Sequence, residues 1–108
     1  MQNLFADIPG VIREERFDEL LKTSAFRLER IVSRGHRSPE GFWYDQDHTE
    51  WVLLLQGRAV LAFENEPRNI TMESGDYMLI PAHTRHRILS TDPDHETIWL
   101  AIHYGKDL

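Results

Sequence analysis

Apolar and polar residues alternate with a period of two along most of this chain, the pattern of strands that bury one face. From Ala25 onward, Phe26, Leu28, Arg30 and Val32 alternate with Arg27, Glu29, Ile31 and Ser33, predicting a strand with one mostly apolar side. Residues 33–41 are turn-rich, and 42–44 open the next extended segment. Residues 51–55 form the most apolar run, and Gln56-Gly57 makes a tight turn into a strand over 58–64. After a loop at 65–69, short strands follow at Ile70–Glu73 and Tyr77–Ile80, separated by Ser74-Gly75-Asp76. Pro81 ends the second of these, 86–90 resumes, 91–94 turns, and Thr97–Tyr104 closes the series. About eight short strands with regularly spaced turn signals predict an all-β antiparallel sandwich or barrel.

The start of the chain reads differently. The first fifteen residues mix apolar side chains with Pro9 and Gly10, predicting an arm that lies on the body. Asp18 is placed to cap a short helix running to Lys22, its side-chain oxygen accepting from first-turn amides. Phe17, Leu20 and Leu21 would give that helix an apolar face. The expected organisation is therefore an arm and short helix over residues 1–24 and a barrel over 25–108. A chain of 108 residues has room for one domain of this kind.

Charge narrows the partners. A formal net charge of -6 disfavours a nucleic-acid backbone or an anionic membrane surface. No apolar run approaches the roughly 20 residues of a membrane span, and the first residues lack the basic-then-apolar layout of a signal peptide. A cytoplasmic protein is expected. Without cysteine, disulfides and thiolate metal sites are excluded. No Gly-rich phosphate loop or nucleophile elbow is present.

The remaining chemistry lies in the histidines at 36, 48, 83, 86, 95 and 103. His48 and Glu50, two apart, would share a strand face, while His83 and His86 flank the corner after Pro81. Imidazole with carboxylate suits Zn, Fe, Mn, Ni or Cu without choosing among them. Plainer roles compete: His48 as a solvated turn residue beside Asp45 and Asp47, His83 bonding a nearby carbonyl. Glu50 is less ordinary, because a charge abutting so apolar a strand usually has a partner. Arg85 and Arg87 read as solvated surface. Tyr44 is the best aromatic wall for a pocket, whereas Trp43, Trp51 and Trp99 read as core or interface. His36, His95 and His103 read as structural or surface, with an interior position on the last strand open to His103.

Read together, residues 50–57 and 75–86 resemble the two conserved motifs of the cupin superfamily. Glu50 and Gly57 match the end of the first, and Gly75, Pro81 and His86 match the second at every gap. The departures are specific. Where the family places His-x-His, this chain has Trp43 and Asp45 or Tyr44 and Gln46; His83 stands at the family's glycine position and Ser90 at its asparagine position. The resemblance implies an RmlC-like antiparallel jelly-roll barrel holding one divalent metal ion. Glu50 and His86 carry over as ligands; His83 and His48 would complete the set, with Asp45, Gln46 and Tyr44 beside them. It further implies action on a small polar metabolite, as a dioxygenase, isomerase or lyase. The alternatives are a non-catalytic small-ligand or metal-binding module and a barrel with no ion. A homodimer is expected, since a small barrel leaves sheet edges to cover.

Overall fold

Each alternating segment forms a strand, and so does one segment that does not alternate. In the computed structural model, which describes residues 1–105, the elements are β1 (Arg16–Lys22), β2 (Phe26–Ser33), β3 (Thr49–Gln56), β4 (Arg58–Phe63), β5 (Ile70–Glu73), β6 (Tyr77–Ile80), β7 (His86–Thr91) and β8 (Thr97–Tyr104). One sheet has the order β1-β2-β8-β3-β6 and the other β5-β4-β7. All pairings are antiparallel. An isolated bridge between Tyr44 and His86 adds an edge to β7. No helix of the described residues is long and apolar enough to cross a membrane.

Between the sheets, Val52, Leu54, Ala59, Leu61, Met72, Ile80, Trp99 and Ala101 form the core. Leu54 and Leu61 are fully buried, and each such side chain contributes about 1.5–3 kcal/mol relative to exposure. The core fills one end of the enclosed space. Toward the other end the inward positions turn polar: Glu50 on β3 pairs across the sheet with His103 on β8, and His103 pairs with Arg27 on β2.

Two sequence expectations change. Residues 18–22 are strand, not helix: β1 runs against β2 in a register shifted between Glu19 and Leu21. That irregularity inserts one extra residue and breaks the alternation, so Phe17 lines the cavity while Leu21 pairs with Leu28 on the outer side. On β2, the mixed side rather than the apolar side faces the interior, since Glu29 and Ile31 line the internal cavity. The outer side is covered at Arg30. Its guanidinium donates to the Leu4 and Ala6 carbonyls at 2.9 and 2.7 Å and to Asp18 at 2.8 Å. Thus the arm does lie on the body, held by a buried cation. Burial pushes the Asp18 carboxyl up, but hydrogen bonds from Arg30 and Arg16 outweigh it and leave its pKa lowered.

Candidate functional site

A cavity of about 90 Å³ opens where the inward positions become polar. Ile31, Val52, Leu61, Ile80, Ile88 and Trp99 form its apolar floor and sides, and Phe17 closes it from β1. Into it come Glu15 from the arm, Glu29 from β2, Glu50 from β3, His86 from β7, His103 from β8, and Tyr44 and Gln46 from the loop before β3. Among the described residues no lysine or arginine is part of its walls.

His86 is 4% exposed. Its Nδ1 lies 2.8 Å from the Thr84 carbonyl, which can only accept. Nδ1 therefore carries a hydrogen, and in the neutral ring Nε2 keeps a lone pair for the cavity. Tyr44 and Phe63 stack on the ring at 5.4 and 5.8 Å. Reciprocal backbone bonds, Tyr44 N–H to His86 O at 2.7 Å and His86 N–H to Tyr44 O at 3.1 Å, pin the two residues together. Glu50 is 9% exposed, and the Gln46 amide donates to its Oε1 at 3.0 Å. Burial, together with the carboxylates of Glu15, Glu50 and Glu29, raises the Tyr44 pKa, so its phenol stays protonated as a donor.

The other carboxylates have partners of their own. Ser33 donates its hydroxyl to Glu15. Burial pushes the Glu15 carboxyl up, and the Ser33 bond and the nearby His36 only partly offset this. Glu29 receives His103 Nε2 at 2.7 Å, and His103 Nδ1 lies 2.9 Å from His48 Nε2.

The structure thus brings together Glu50, His86, Gln46 and Tyr44 from the sequence-derived set. It separates the others. His83 projects to solvent with 68% of its side chain exposed and pairs with Asp45 at 3.0 Å, beyond the cavity walls. Its backbone sits at φ 61, in the left-handed region, which accounts for glycine at that position in the family motif. His48 stands behind His103 rather than at the cavity wall. Glu15, Glu29 and His103 complete the lining, and only His103 carried an interior expectation. Glu15 and Glu29 gave no local signal, for Glu29 meets the site through the pairing of β2 with β8 and Glu15 through the course of the arm.

The donor set does not fit a resident divalent metal ion. Catalytic zinc centres use three protein ligands and structural ones four. Among the described residues no group of three or more histidine, aspartate or glutamate side chains is arranged to hold a metal. Glu50 and His86 supply one carboxylate and one imidazole, Gln46 turns its amide N–H to Glu50, and His103 is spent on Glu29 and His48.

Comparison with known proteins agrees with this architecture. The family pattern described as Cupin domain matches residues 31–103. A candidate mannose-6-phosphate isomerase from Ralstonia eutropha JMP134 is 42% identical, with a TM-score of 0.92 and 96% of each chain covered. A cupin superfamily protein from Desulfitobacterium hafniense DCB-2 superposes with a TM-score of 0.71 at 19% identity, covering 90% of this chain and 83% of that one. An RmlC-like cupin with a double-stranded β-helix fold from Methanocaldococcus jannaschii gives 0.69 at 14%, covering 91% and 86%. No curated protein matches. With two sheets closed around a polar-mouthed cavity and the family pattern spanning most of its strands, the chain belongs to the cupin family.

Proposed function

We propose that this cupin binds a small, non-anionic molecule rich in hydroxyl or amino groups directly on its side chains, and that Glu50 and His86 transfer protons to and from it. One observation carries the reading: the cavity presents Glu15, Glu29 and Glu50, and among the described residues no lysine or arginine lines it. A ligand anion about 5 Å from one ionised carboxylate meets roughly 3 kcal/mol of repulsion at an effective dielectric constant near 20. Hydroxyl or ammonium hydrogens instead find acceptors in Glu50 and the His86 lone pair. The volume of about 90 Å³ is well below the roughly 300–1,000 Å³ of sites for drug-sized ligands, which favours a small metabolite.

The chemistry this supports is proton transfer, as in an isomerisation or an elimination. Glu50 serves as base, and His86 Nε2 is a second site that takes or returns a proton. The Tyr44 phenol is available to donate to a substrate oxygen. The relative's description as a sugar-phosphate isomerase is compatible with the reaction type, but the acidic lining favours the unphosphorylated compound.

Thermal shift and calorimetry with polyols, free sugars, small amines and sugar phosphates test the reading, followed by turnover assays on every compound that binds. Neutral or cationic compounds should stabilise the protein, and Glu50→Gln and His86→Gln should weaken or abolish turnover. Mannose 6-phosphate binding more tightly than mannose would overturn it. Binding without turnover of any hit would favour the non-catalytic module.

A further inference from the structure

Behind the cavity, two histidines form a chain that no motif announced. His103 is 4% exposed at its side chain and Glu29 13%. Glu29 Oε1 lies 2.7 Å from His103 Nε2, His103 Nδ1 lies 2.9 Å from His48 Nε2, and the two rings meet edge to face at 71°. His48 Nδ1 is the far end, 3.8 Å from Asp47 Oδ1, on a side chain 12% exposed next to a carboxylate 42% exposed. The chain therefore runs from a cavity wall to the surface through hydrogen-bonded nitrogens.

We propose that Glu29, His103 and His48 form a proton relay that connects the cavity to bulk solvent. An ionised carboxylate only accepts, so His103 Nε2 carries a hydrogen. A neutral His103 then offers its Nδ1 lone pair to His48 Nε2–H. His48 keeps a lone pair at Nδ1, toward solvent. Protonation of Glu29 proceeds in three transfers: a solvent acid protonates His48 Nδ1, His48 Nε2–H passes its proton to His103 Nδ1, and His103 Nε2–H passes its proton to Glu29 Oε1. The net change is one proton taken from solvent and one carboxylate neutralised. Both rings end neutral with their hydrogens on Nδ1, and the reverse transfers restore them.

The charges around His48 suit this work. Burial, His103 and Arg27 lower its pKa, against the opposing pull of Glu50 and Asp47. A neutral His48 ring can take a proton at Nδ1 and release one from Nε2. Glu29 and Glu50 reach the same cavity from adjacent sides of β8. A proton can therefore be delivered to the cavity by a route that leaves the mouth closed by ligand.

The test needs no ligand, so it stands apart from the proposed function. In full-length protein with ¹⁵N-labelled histidine, ring nitrogen shifts should place the hydrogens of His103 and His48 on Nε2. The His103 Nε2–H exchange rate with water should then fall by about tenfold or more in His48→Gln, because exchange would depend on local opening once the relay is cut. Glutamine can still donate an amide hydrogen to His103 Nδ1, so the His103 tautomer should persist; a merely structural His48 would leave the rate unchanged. Wild-type His103 protonated on Nδ1 overturns the relay whether or not the variant folds. An unchanged exchange rate with the tautomer retained overturns it as well.

Discussion

Replacing Gly57 by alanine should cost far more than its position in a surface turn implies. Gly57 joins β3 to β4 at φ 101, where an L side chain is strained by about 1–3 kcal/mol. A Cβ there would also stand 2.5 Å from Thr97 Oγ1, 2.7 Å from Thr97 Cα and 2.9 Å from Thr97 Cβ. Thr97 has no room to withdraw: it is fully buried, and its hydroxyl bonds the Arg58 carbonyl at 3.3 Å. Forced contacts of this kind in a packed region add about 1–3 kcal/mol, for a total of roughly 2–6 kcal/mol. That is a large part of the about 5–15 kcal/mol that holds a typical domain together. Gly75→Ala is the natural control, because Gly75 has a similar φ of 93 and nothing within 4 Å of the added atom. Urea denaturation of both variants separates strain from collision. Equal losses in the two, or a loss below about 1 kcal/mol at Gly57, would refute the steric reasoning.

Other consequences are as direct. The raised Glu15 pKa means that this carboxyl contributes stability below its unfolded pKa and loses it as pH rises through the higher folded value. Glu15→Gln should therefore stabilise the protein at neutral pH and give no gain in acid; a pH series of melting temperatures checks both limbs. Protein purified without chelator should carry far less than stoichiometric metal by elemental analysis, and EDTA should leave its melting temperature unchanged. A full equivalent lost in Glu50→Ala or His86→Ala would restore the metal-centred reading. The expected homodimer, in which the arm of residues 1–15 should take part, would also cover the row of Leu79, Trp51, Ile102, Leu28 and Leu21 paired across five strands, with Leu79 51% and Leu21 49% exposed. Sedimentation should show dimer at micromolar concentration and monomer for Leu79→Glu, whereas wild type that stays monomeric contradicts it.

Most strands were legible because a half-buried strand writes its two faces into the sequence. Trp51, Val52, Leu53, Leu54 and Leu55 announced β3, and Gly75 through Pro81 announced β6 and its end. β1 was misread for a local reason: Phe17, Leu20 and Leu21 stand at the sequence spacing of a helical face, and the bulge that breaks the strand's alternation between Glu19 and Leu21 leaves no local signal. The site was legible at Glu50 and His86, which a motif fixed, and at Tyr44 and Gln46 close before Glu50 in sequence. His83 looked like a ligand beside His86, but its backbone turns at positive φ and sends the ring to solvent. The Glu29, His103 and His48 chain spans separations of 74 and 55 residues, and only the β2-β8-β3 order brings those positions together.

The arm gives the protein a further property. Glu15 and Phe17, two walls of the cavity, belong to the segment before and within the edge strand, and Arg30 ties that strand to the carbonyls of Leu4 and Ala6. Substitutions in this tether can reshape what the cavity admits without disturbing a single central strand. The shape of the cavity mouth is therefore set in part by the leading segment, separately from the strands that close the barrel.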